Sequence, residues 1–130
     1  MQPADRLSRP RGVPSHLESQ VSYRLHVPLI YVKGELDHDS VGQLRPVIDE
    51  ELRDEPAVLL LDLSELTCMD SGGLALMFEV VQRVRPPRWV GVVAPNQGIA
   101  RLLEMTGLAD ADTFRVFPDQ KTVAAALTSG

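Results

Sequence analysis

The run Leu59-Leu60-Leu61-Asp62-Leu63 constrains this chain more than any other stretch. Aliphatic residues following one another over strand length describe a strand buried on both faces, as inside a parallel sheet. A short polar connection follows, then Asp70-Ser71-Gly72-Gly73, then a new apolar run from Leu74 to Val84 with helical length and spacing. An Asp-Ser pair is therefore expected in the loop where a buried strand hands over to a helix. In open α/β sheets the strand ends and the helix N-termini beside them are the usual functional places. Ser71 is the first candidate site residue.

The flanking sequence supplies the partners such a strand requires. Val21 to Val27 alternates apolar and polar residues, the pattern of a half-buried strand, with a bend expected at Val27-Pro28. Leu29 to Val32 reads as a second strand. Asp39 or Ser40 is placed to N-cap a helix carrying Val41, Leu44, Val47, Ile48 and Leu52, although Pro46 predicts a kink or an irregular first turn. The central strand is expected over Val58 to Leu63 and a well-buried helix over Leu74 to Val84, stopped by Pro86-Pro87. Trp89 to Ala94 is the next strand. Ile99, Leu102 and Leu103 mark a third helix with Gly107 as its C-terminal cap. Thr113 to Phe117 is a last strand, and Asp119 caps a final helix carrying Val123, Ala124 and Leu127. The order is β-β-α-β-α-β-α-β-α. Strands alternating with helices predict an α/β fold, a mixed but mostly parallel sheet of about five strands packed with about four helices.

Composition narrows the function. Residues 1–20 hold Pro3, Pro10, Pro14 and Gly12 without any apolar period, and are expected to form a disordered tail ahead of one domain over 21–130. That tail carries Arg6, Arg9 and Arg11, so the body is more acidic than the whole-chain net charge of −5. An acidic body argues against nucleic acid as a partner, because phosphate binding requires clustered Lys and Arg. No apolar run approaches the roughly 20 residues that span a bilayer, and the N-terminus has no apolar signal core. The single cysteine, Cys68, excludes an internal disulfide and fits a reducing compartment. A cytoplasmic domain without membrane attachment is expected, with no cofactor and no metal site.

Several chemistries compete for Ser71. Asp-Ser-Gly-Gly is ordinary turn and cap chemistry, since Asp and Ser cap helices and Gly permits unusual backbone angles. The tetrapeptide is also similar to the segment around the nucleophile of trypsin-like proteases. That fold is all-β, whereas this chain alternates strand and helix. A nucleophile also requires a base, and of His16, His26 and His38 only His38 lies in a loop that can converge on Ser71. No G-x-S-x-G elbow surrounds the serine. The third reading is a phosphate-accepting switch: a phosphoserine adds roughly two negative charges and three strong acceptor oxygens, and a helix N-terminus tolerates it. Asp62 raises a separate idea, the phospho-acceptor of a receiver domain, but the lysine such a site needs after the last strand is matched only by Lys121 inside the final helix. A solvated or loop-capping Asp62 is the simpler expectation.

Three blocks, in this order, carry a resemblance. They are Gly34-Glu35-Leu36-Asp37-His38-Asp39-Ser40; Leu61-Asp62-Leu63 through Met69-Asp70-Ser71-Gly72-Gly73-Leu74; and Arg101-Leu102-Leu103-Glu104-Met105-Thr106-Gly107-Leu108. From about Val21 to Leu127 the chain resembles the STAS domain, in particular the bacterial anti-sigma factor antagonists. The resemblance implies a protein-binding module and not an enzyme, with no catalytic residue. It implies that Ser71 is phosphorylated by an anti-sigma factor that is itself a serine kinase. The unphosphorylated form would bind that kinase and free a sigma factor, and a serine phosphatase would reset the cycle. The implied partner surface comprises Asp37, His38, Asp39 and Ser40 with Asp70, Ser71, Gly72 and Gly73. Gly72 departs from the Ser or Thr common there, which removes an alternative acceptor. The same fold also serves as a non-cycling scaffold subunit of stress-signalling or lipid-transport complexes, and a serine hydrolase using Ser71 is the remote alternative. Cys68, Met77 and Met105 are expected in the core, and Trp89 in packing.

Overall fold

A computed structural model describes residues 17–128. Five strands and four α-helices follow one another among them: β1 (Leu17–Arg24), β2 (Val27–Leu36), α1 (Val41–Leu52), β3 (Val58–Met69), α2 (Ser71–Arg83), β4 (Trp89–Val93), α3 (Gln97–Met105), β5 (Phe114–Phe117) and α4 (Gln120–Thr128). The sheet runs β1-β2-β3-β4-β5 in space, antiparallel between β1 and β2 and parallel thereafter. This is the predicted α/β architecture in the predicted order. Residues 1–16, most of the expected tail, lie outside the described residues, and residues 17–20 belong to β1 instead of that tail.

The hairpin bends earlier than Pro28 suggested. Leu25 and His26 both take positive φ (51° and 68°), as the two-residue turn matched to strand twist requires, and Pro28 sits inside β2 opposite Tyr23. β1 is an edge strand whose alternation does not produce a buried face: Val21 and Tyr23 are exposed, as is Leu25 in the turn after it. Tyr23 instead donates its hydroxyl to Glu51 of α1 at 2.6 Å.

The main core holds Ile30 and Val32 of β2, Leu59, Leu61 and Leu63 of β3, and Val90 and Val92 of β4 against α1, α2 and α3, through Leu44, Ile48, Leu76, Val80 and Leu103. On the opposite face Val58, Leu60, Trp89, Val93 and Phe117 pack with Val123 of α4. Trp89 is a packing residue, its ring 5.7 Å from that of Phe117 and the Arg115 guanidinium 4.2 Å from its centroid. Pro46 does not end α1, because it lies on the exposed side, where water can take the Gly42 carbonyl it leaves unbonded. Asp119 caps α4 by accepting from Thr122 N at 2.8 Å, and Gly107 adopts φ 82° after α3.

Other expectations fail for identifiable reasons. β3 runs on to Met69, well past Leu63, because two bulges against β2 break its alternation and turn Leu63, Leu66 and Met69 successively into the core. Asp62 is therefore mid-strand and buried, neither solvated nor at a strand end. Its carboxylate accepts from Ser64 N at 2.9 Å and from Gln120 Nε2 of α4 at 2.7 Å. Cys68 falls on the outward side of the bulged segment and is exposed. Met105, at the last turn of α3, is 77% exposed, while Met77 is in the core as expected. The helix α2 is buried on one side only, with Ala75 and Phe78 outward.

Candidate functional site

Parallel pairing decides where the two candidate loops meet. Leu36 ends β2 directly beside Met69, the end of β3, so the segments that follow leave the same edge of the sheet. Asp70 N then donates to Leu36 O at 3.1 Å, joining the loops at their bases.

The loop before α1 is closed upon itself. Ser40 is the N-cap residue of α1, one of the two that the sequence offered, although its side chain makes no cap bond. Asp37 Oδ1 instead ties the turn ahead of it, accepting from Asp39 N at 3.0 Å and from Ser40 N at 2.9 Å. Ser40 is fully buried: its hydroxyl donates to Glu35 O at 2.8 Å and accepts from Asp37 N at 2.9 Å. Its side chain shapes the loop and is not offered to solvent.

The start of α2 is arranged differently. Asp70 is the N-cap, with Oδ1 accepting from Gly72 N at 2.7 Å and Gly73 N at 3.2 Å. Ser71 is thus the first residue of the helix, not a loop residue, and its side chain is exposed. Asp70 Oδ2 also accepts from His38 N at 3.4 Å, a long bond that ties the α1 loop to the α2 start. Partial burial alone would push the Asp70 carboxyl up, but donation from the amides of Gly73, Gly72 and His38, with the His38 ring nearby, holds it below the usual aspartate value.

His38 completes the junction. Its Nε2 lies 3.2 Å from Ser71 Oγ, the hydroxyl donating to the ring or accepting from it according to tautomer. The convergence of His38 on Ser71 that the sequence allowed is therefore realised. Gly72 and Gly73 do more than leave Ser71 open. A Cβ on Gly72 would stand 2.9 Å from His38 N and Nδ1, and one on Gly73 would stand 2.7 Å from Leu36 O. Both glycines are buried, and their bare backbone is what lets α2 begin against the other loop.

Sequence reasoning passed over Phe78 and Ala75. They lie on the helical face of Ser71 at i+7 and i+4, with Phe78 37% exposed. The signal was available in that spacing, but the surrounding apolar run masked it. Desolvation and, after it, the neighbouring Glu35 push the Cys68 thiol near the end of β3 above its ordinary value. Among the described residues no three His, Cys, Asp or Glu side chains are grouped to hold a metal ion.

The family model described as Mlab, STAS domain, matches residues 19–117. The chain belongs to the STAS domain family. It is 29% identical over 106 residues to the anti-sigma-F factor antagonist RsfB of Mycobacterium tuberculosis, a match covering 82% of this chain and 85% of that one. The crystal structure of an anti-sigma factor antagonist from Mycobacterium paratuberculosis superposes with a TM-score of 0.80 at 26% identity, over 89% of this STAS domain chain and 97% of its own. Unphosphorylated SpoIIAA, at 17% identity and a TM-score of 0.67 over 87% and 99% of the two chains, shares the fold.

Proposed function

We propose that this STAS domain is a phosphorylation-switched protein-binding module. In the unphosphorylated form it binds an anti-sigma factor serine kinase and thereby frees a sigma factor, and Ser71 is the phosphate acceptor. One observation carries the reading: Ser71 is exposed in the first turn of α2, while the amides that follow it are already taken by Asp70. The hydroxyl is accessible and serves no helix cap, so it is available to a kinase. Its oxygen would attack the γ-phosphorus of ATP, the bond to the β-phosphate oxygen would break, and the hydroxyl proton would pass to a base on the kinase as ADP leaves. The names of the relatives support the same reading.

The partner surface proposed here is the exposed part of the junction, Asp37, His38, Asp39, Asp70 and Ser71, continued down α2 by Ala75 and Phe78. Ser40, Gly72 and Gly73 fix its shape from beneath. A phosphate on Ser71 would set new negative charge within that surface. Two unit charges about 4 Å apart interact with roughly 4 kcal/mol at an effective dielectric near 20. Since about 1.4 kcal/mol is tenfold in affinity, one such repulsion is enough to release a partner. A serine phosphatase would return the domain to its binding form. No helix among the described residues is long and apolar enough to cross a membrane.

The Ser71–His38 contact invites comparison with a hydrolase, and two features count against one. A triad needs a carboxylate on the far ring nitrogen, whereas His38 Nδ1 faces Gly72. An oxyanion hole needs free amides, whereas those of Gly72 and Gly73 are bonded to Asp70. The description of the matching family model, Mlab, favours a second reading, a non-cycling scaffold subunit of a lipid-transport or stress-signalling complex. Phosphopeptide mass spectrometry after incubation with ATP and host lysate, with Ser71→Ala as control, separates the two. Phosphate localised to Ser71 supports the switch. Its absence with a stably co-purifying partner supports the scaffold.

A further inference from the structure

The two loops of the junction carry Asp37, Asp39 and Asp70, and His38 is the one residue in either that can become cationic. A phosphate placed on Ser71 would meet this acidic surround. The helix start cannot offset it fully, because Asp70 Oδ1 already occupies the amides of Gly72 and Gly73. His38 Nε2, at 3.2 Å from Ser71 Oγ, is the donor within reach. The ring lies where a Cβ on Gly72 would meet it, and the His38 amide donates to Asp70 Oδ2. We propose that His38 is the counter-ion of phosphorylated Ser71: it shares a hydrogen bond with the free hydroxyl and, as imidazolium, pairs with the phosphate.

The chemistry gives His38 a specific task. An imidazolium can donate from Nε2 to a phosphate oxygen in a charge-assisted bond. The pair then titrates jointly, the cation favouring the dianionic phosphate and the phosphate favouring the cation. Ser71 and Asp70 from the start of α2 meet His38 directly, and Asp37 and Asp39 flank it along its own loop. All three carboxylates are acceptors and cannot donate to phosphate. Pairing would draw the new charge toward the α1 loop, so the phosphorylated surface would differ from the free one in shape as well as in charge.

The proposal rests on Ser71 being the phosphate acceptor, but its test does not depend on any kinase. Phosphoserine is installed at position 71 during translation, in otherwise wild-type protein and in His38→Gln and His38→Lys. Phosphorus NMR then follows the second ionisation of the phosphate, which lies near pH 6 when unperturbed. In wild type the midpoint is expected at least about half a pH unit lower than in His38→Gln, roughly a threefold larger ionisation constant, with His38→Lys recovering most of the difference. Nitrogen NMR of the His38 ring in the unmutated backbone gives an independent reading: in the phosphorylated protein at about pH 7 both ring nitrogens should stand at imidazolium positions. Superimposable phosphate titrations in wild type and His38→Gln, or a neutral ring in the phosphorylated protein, would overturn the proposal. A failure to find phosphate on Ser71 in host lysate would leave both readouts intact and would count only against the switch.

Discussion

Two serines stand at two helix starts in this domain, and they have opposite fates. Ser40, before α1, is sealed: it is fully buried, with its hydroxyl bonded to Glu35 O and Asp37 N. Ser71, at the first position of α2, is exposed and touches a histidine from the other loop. An aspartate side chain bonds amides at both starts, Asp37 those of Asp39 and Ser40 just ahead of α1 and Asp70 those of Gly72 and Gly73 within α2. The difference is one of position. Ser40 follows its aspartate by three residues and is drawn under the loop, while Ser71 follows by one and is turned out on the first helical turn. Capping by a neighbour frees a serine hydroxyl, and the path of the loop decides whether protein or solvent receives it.

The comparison breaks most severely where the second helix start loses its close approach. Gly73→Ala places a methyl 2.7 Å from Leu36 O and Met69 Cγ. It should cost about 3 kcal/mol in a urea melt, at the upper end of overpacking effects. Next comes the sealed serine: Ser40→Ala removes the buried hydroxyl that bonds the part-buried Glu35 carbonyl and Asp37 amide, and a loss of about 2 kcal/mol is expected in the same assay. A loss below about 0.5 kcal/mol would show that water reaches the loop and that the seal is not real.

The presented serine should matter for binding where the sealed one matters for folding. Calorimetric titration against the kinase partner should show Ser71→Ala binding as wild type and Ser71→Asp at least about tenfold weaker, about 1.4 kcal/mol. Equal affinity for the two variants would sink the switch. Asp70 supplies a pH signature. Its carboxyl is held below the ordinary value in the folded protein, so its contribution is complete above the unfolded aspartate value near 3.9. That contribution is lost as pH falls from there through the lower folded value. Asp70→Asn, which can still cap, should flatten this acid limb of the stability curve and lose the carboxylate's contribution at neutral pH. Smallest of all, Ser71→Ala should move stability by less than about 0.5 kcal/mol, because its hydroxyl holds nothing that the fold requires.

Much of this was legible in the sequence, and the exceptions share a cause. The run Leu59–Leu63 reads as a strand buried on both faces because each face has its own core, Leu59, Leu61 and Leu63 on one and Leu60 on the other. The caps at Asp119 and Gly107 were readable because their effect is local. The second half of β3 was not, since its core residues Leu63, Leu66 and Met69 recur every third position. That spacing arises only when bulges are imposed by pairing with β2. Cys68 and Asp62 were misplaced for the same reason. Val21 and Tyr23 alternate correctly, yet remain exposed because β1 is the edge of the sheet. At the site, Asp70, Ser71 and the loop Asp37–Ser40 were all singled out from sequence, while the distinct tasks of Ser40 and Ser71 were not.

The sequence by itself determined the element order, the parallel sheet that follows from it, and the two acidic turns at which helices begin. Those depend on apolar period, caps and breakers, which act over a few residues. Only the tertiary structure decided that the two turns meet, because Leu36 and Met69 end neighbouring parallel strands across 33 positions of chain. It decided which serine is buried, why Gly72 and Gly73 must be bare, and that His38 faces Ser71. Each of these depends on a close approach between segments distant in sequence, and no local pattern records such a distance.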